Sequence, residues 1–168
     1  MNLKHSIQWI FRKLPFILAG LALFTIVALE AAQTIYRYTC KHTFLFVDDI
    51  AVICFSWAIF AGAAAAYREK MHYGLDILTN AIPTKIKTQF QIIVQLLITA
   101  SFAFFFYYSI RLYMNVGPKV LTTTNLSYRW VDAALVYGFF MMLAYSIEFL
   151  IDDIKQLTSS KVREENME

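Results

Sequence analysis

Four long apolar runs without a charged residue at their centre constrain this chain more than any other feature. They are Leu14 to about Arg37, Asp48 to Tyr67, Thr88 to Ile110 and Val131 to Ile151. Each meets the requirement of roughly 20 predominantly apolar residues for a helix that crosses a bilayer. The third is crowded with aromatic residues, among them Phe102, Phe104, Phe105, Phe106, Tyr107 and Tyr108. None shows the polar stripe expected of a buried helix in a soluble domain. The reading is therefore an all-α integral membrane protein forming one four-helix domain over residues 1–168. Hydrophobic residues make up 59% and charged residues 16% of the chain, against about 25% charged in a soluble domain. The first run is read as a span and not as a cleaved leader, because its uncharged stretch exceeds the usual 7–15 apolar residues.

The distribution of Lys and Arg predicts the orientation. Ten lie at the N-terminus, in the second connection and in the C-terminal tail, against five in the first and third connections. Cationic loops stay on the cytoplasmic side, so both termini are expected there. The net charge of +3 comes from residues at span ends, which argues against a nucleic-acid partner. Two stretches read as interfacial helices, about residues 2–13 and 71–82. Leu3, Ile7, Ile10 and Leu14 share one helical face, as do Met71, Leu75, Leu78 and Ile82, and Pro83 ends the second. Such helices lie in the headgroup plane with the apolar side down.

Candidate sites are few. Glu30 is the ionisable residue well inside a span, where a charge at the centre costs about 2.5–3.5 kcal/mol on insertion scales. Either it couples to a proton or cation, or it is an interfacial carboxylate paired with a basic group or another subunit. Asp48 and Asp49 open the second span, where carboxylates favour the positive end of the helix dipole and cap free amides. At the far end of the bundle, Glu148, Asp152 and Asp153 are expected to meet Arg68 or Lys70 as a structural ion-pair cluster. Ala58, Gly62 and Ala66 form a row of small residues beside Trp57, and Ala134 and Gly138 repeat the style in the fourth span. In lipid such rows let backbones approach closely.

Catalytic, metal and cofactor sites are not expected. His5, His42 and His72 lie outside the spans, which argues against a haem held between helices. Cys40 and Cys54 form no paired motif. All three prolines lie at span ends or in loops, unlike the broken helices of carriers that hold their own substrate. The chain reads as a scaffold.

The order of these pieces resembles the small membrane subunit of tripartite ATP-independent periplasmic (TRAP) transporters over roughly residues 14–150. The resemblance rests on Arg37-Tyr38 closing the first span and an acidic pair opening the second, then Trp57, Gly62 and a run of alanines. Arg68, His72-x-x-x-Asp76 and Pro83 follow, and Trp130 leads into the last span. The family commonly has two glutamates after a Trp where this chain has Phe46-Val47-Asp48-Asp49, and a Pro before the last Trp where it has Ser127. The resemblance implies a larger membrane subunit that carries the substrate and the sodium ions. It also implies a soluble periplasmic substrate-binding protein, and a bracing role for this chain in the bacterial inner membrane. Arg37, Asp48, Asp49, Trp57, Ala58, Gly62, Ala66, Arg68, His72, Asp76 and Trp130 become the expected partner or scaffold contacts. The stretch Asp76-Ile77-Leu78-Thr79-Asn80, with Ile82-Pro83 and Lys85-Ile86, is similar to sialic-acid members, with C4-dicarboxylates as the other substrate class. The alternative is an autonomous homo-oligomeric exporter or channel working through Glu30.

Overall fold

A computed structural model describes the backbone of residues 3–79 and 84–165, and the side chains of 13–69 and 90–155. It contains four helices: α1 (Leu3–Cys40), α2 (Leu45–Thr79), α3 (Thr84–Asn115) and α4 (Arg129–Glu165). Hydrocarbon offers no hydrogen bonds to a backbone, so apolar runs of this length must satisfy their amides internally, as helices do. All four are long and apolar enough to cross a membrane. Their exposed surface is what lipid would cover: Phe24 on α1 is 71% exposed and Met114 on α3 is 73% exposed.

The helices run 32 to 38 residues, or roughly 48 to 57 Å at 1.5 Å per residue. The hydrocarbon core is only about 30 Å thick, so each helix carries an overhang. The amphipathic stretches expected as separate interfacial helices are parts of these overhangs. Residues 3–13 continue into α1 through Pro15, and residues 71–79 are the end of α2. Residues 80–83, including Pro83, lie outside the described residues.

The helices pack in the order α1, α2, α4, α3. Helix α1 packs against α2, α2 against α4 and α4 against α3, while α2 touches α3 only lightly. Among the described residues α1 meets neither α3 nor α4. The result is an open row with α4 at its centre of packing. Of the most apolar stretch of α4, 33% is buried, against 6% for α1 and α3.

The α2–α4 seam is the tightest. A Cβ added at Gly138 would lie 2.7 Å from the Cβ of Phe60 and 3.0 Å from its carbonyl oxygen. Only glycine permits that approach. Ala61, Ala64 and Ala134 are fully buried, and Met141, Met142 and Tyr145 complete a core with Ala64. The row Ala58, Gly62, Ala66 is placed differently. Gly62 faces Ala19 of α1, where an added Cβ would sit at an ordinary 3.7 Å. Ala58 is half-buried and Ala66 is exposed. The close contact in lipid thus belongs to Gly138 and Phe60, one helical face away.

Candidate functional site

The two connections α1–α2 and α3–α4 meet at one end of the row. Lys41, in the left-handed region (φ 58°), stops α1, and Tyr36 stacks on Phe44 with ring centres 4.3 Å apart. The longer α3–α4 connection folds back on itself. Val120 pairs antiparallel with Ser127, the Leu121 amide donates to the Leu126 carbonyl at 2.8 Å, and the Tyr128 amide donates to the Lys119 carbonyl at 3.1 Å. Asn125, with φ 54°, makes the bend, a conformation that Asn tolerates better than most residues.

The threonines between those paired residues aim their donors at α2. Asp49 Oδ2 accepts the amides of Thr123 (2.9 Å) and Thr124 (2.7 Å) and the Thr124 hydroxyl (2.9 Å). Successive backbone N–H groups in a turn form such an anion-holding concavity. Asp49 is buried and clamps the loop to the start of α2. Its neighbour Asp48 points elsewhere. It is exposed, lies in the first turn of α2 and accepts a long 3.5 Å bond from Gln33 of α1. The acidic pair therefore splits: one carboxylate serves the internal architecture and one remains at the surface.

Trp57 and Trp130 also lie at this end. Trp57 donates its indole N–H to the carbonyl of Trp130 at 3.2 Å and packs on Tyr137, which ties α2 to the first turn of α4. The Trp130 side chain is 58% exposed. Arg37 is exposed at the end of α1 beside Tyr38. Glu30 is exposed on α1, away from the packed seam.

Arg68 lies about 28 Å farther along α2 than Asp49, at 1.5 Å per residue, so the expected contacts form no single site. Its guanidinium sits over the Tyr145 ring, 4.8 Å from the centroid. Asp152 pairs with Lys155 on its own helix, at 3.8 Å and well exposed. His72 and Asp76 fall on the overhang of α2, and their side chains, with that of Lys70, lie outside the described residues.

Between the two ends lies a polar knot absent from the sequence reading. Ser146 of α4 accepts a hydrogen bond from Gln95 Nε2 (3.0 Å) and one from the Tyr67 hydroxyl (3.1 Å), and shares another with Thr99 (2.7 Å). The same Gln95 nitrogen donates to the Ser146 carbonyl at 3.0 Å. Gln95 and Ser146 are fully buried. The spans do contain a polar line after all: Gln91, Gln95 and Thr99 recur every fourth residue on α3, a spacing that could have been read. What the spacing could not supply was the partner on α4.

Residues 26–156 match the sequence model of the family described as tripartite ATP-independent periplasmic transporters, DctQ component. The chain is also 27% identical over 129 residues to the sialic acid TRAP transporter permease protein SiaT of Haemophilus influenzae (strain 86-028NP). That alignment covers 76% of this chain and 21% of the relative, so the chain corresponds to about a fifth of that protein's length. With the family match running from the middle of α1 to the end of the last span, this multi-pass membrane protein belongs to the DctQ component family of TRAP transporters.

Proposed function

We propose that this chain is the small scaffold subunit of a sodium-coupled, binding-protein-dependent importer of an organic acid in the bacterial inner membrane. A large transmembrane subunit carries the substrate and the sodium ions, a periplasmic protein delivers the substrate, and this chain braces the large subunit within the lipid. Both termini face the cytoplasm, from the bias of Lys and Arg. Sialic acid is the favoured substrate, by analogy with the named activity of the relative from Haemophilus influenzae.

The observation that carries the scaffold reading is the open row of helices. Helix α1 packs on α2 alone and α3 chiefly on α4, so each flank keeps long apolar faces for another chain or for lipid. A brace must itself be stiff. The Gly138–Phe60 seam, the Ser146 knot and the Asp49 clamp each join elements distant in sequence. Asp48, Arg37 and Trp130 remain exposed at the loop end for contact with a partner.

The test is affinity capture of the tagged chain from native membranes in mild detergent, then uptake by the recovered complex in proteoliposomes. The expected result is one large multi-span partner and uptake of sialic acid that collapses without an inward sodium gradient. Capture of the chain alone, with ion flux lost in Glu30→Gln, would replace this reading with the autonomous channel.

A further inference from the structure

An apolar groove of about 300 Å³ opens between α3 and α4 near the loop end, lined by Phe106, Tyr113, Ala133, Val136, Tyr137 and Phe140. We propose that it holds one acyl chain of an anionic phospholipid whose phosphate is bound by Arg129. The inference rests on the chain being embedded in a membrane and is independent of its transport role.

Three observations converge. The lining is almost wholly apolar, and from Ala133 to Phe140 it runs about 10 Å along the helix, the reach of part of an acyl chain. Next, Arg129, Ala133, Val136 and Phe140 recur at i, i+4, i+7 and i+11, so the cation stands on the face of α4 that lines the groove, one turn beyond its wall. Helical side chains lean toward the N-terminus, which carries the guanidinium outward past the mouth. Arg129 is exposed, and its guanidinium has no hydrogen-bond or ion-pair partner among the described residues. Nearby, Lys119 is within electrostatic reach of the buried Asp132; Arg111 of α3 is exposed as well, but Arg129 is the cation on the α4 face that lines the groove. Finally, Tyr113, Tyr128 and Trp130 are all exposed at this level. Tyr and Trp collect where hydrocarbon meets headgroups, so the mouth lies at phosphate depth. A cation there attracts anionic lipid by a factor of about five per residue.

The experiment is native mass spectrometry of the full chain released from vesicles of equal phosphatidylglycerol and phosphatidylcholine. The expected spectrum shows one retained lipid, with phosphatidylglycerol favoured about fivefold. Arg129→Gln, a surface change, should equalise the two lipids while leaving the melting temperature unchanged. Ala133→Phe should fill the groove and remove retention of both. Equal retention of the two lipids by the wild-type chain would overturn the proposal. So would an unaltered preference in Arg129→Gln, or undiminished lipid retention in Ala133→Phe.

Discussion

The carboxylate of Asp49, early in α2, holds Thr124 in the α3–α4 connection by two bonds from one residue, the amide at 2.7 Å and the hydroxyl at 2.9 Å. This contact spans 75 residues of sequence and fixes the loop to the start of α2. Its adjacent acid, Asp48, makes only the long bond to Gln33 among the described residues. Two neighbouring residues of the same type are thus separable by experiment.

Asp49→Ala should release the loop, leaving the amides of Thr123 and Thr124 unprotected in hydrogen exchange and lowering the melting temperature. Asp48→Asn should leave both readings near wild type and instead weaken capture of the partner subunit. Equal loop protection in the two variants would contradict the split.

At the α2–α4 seam, Gly138→Ala forces a methyl against Phe60, and overpacking of this kind costs about 1–3 kcal/mol. Gly62→Ala meets only an ordinary contact with Ala19 and should be neutral or slightly stabilising, because alanine is favoured over glycine in a helix by about 0.5–1 kcal/mol. Reversible unfolding in detergent measures both. A larger loss at Gly62 than at Gly138 would show the seam to be misassigned.

Ser146→Ala removes the hydroxyl that accepts from Gln95 and Tyr67 and shares a bond with Thr99. Interhelical hydrogen bonds in membranes average only about 0.6 kcal/mol each, with a maximum near 1.7, but here several fail together. A double-mutant cycle pairing Ser146→Ala with Gln95→Ala should give a coupling energy within that range. Additive losses would mean that the knot contributes nothing beyond packing.

Arg68 over Tyr145 is a cation–π contact, worth about 0.5–2 kcal/mol depending on desolvation. Tyr145→Leu should cost stability, while Tyr145→Phe should cost less, because it keeps the ring face and loses only the hydroxyl that Arg68 also hydrogen-bonds. Charge removal at Asp152, which pairs with Lys155, should have little effect, as exposed pairs contribute about 0–1 kcal/mol. A large loss from Asp152→Asn would instead make that carboxylate an anchor of this end of the bundle.

The number of spans, their approximate limits and the family were legible in the amino-acid sequence. A bilayer imposes one length and one backbone solution on any apolar run, so local composition alone determines that a span exists. What composition leaves undetermined is which side of each helix meets which neighbour. Lipid and protein interior are equally apolar, so an Ala or Phe facing one reads like an Ala or Phe facing the other. The tertiary structure therefore decided that Gly138, not Gly62, is the close-approach residue, and that Asp49 turns inward while Asp48 stays out. It also decided that Gln95 and Ser146 find each other across 51 residues. Each of these depends on the order α1, α2, α4, α3, a packing arrangement that no window of sequence contains.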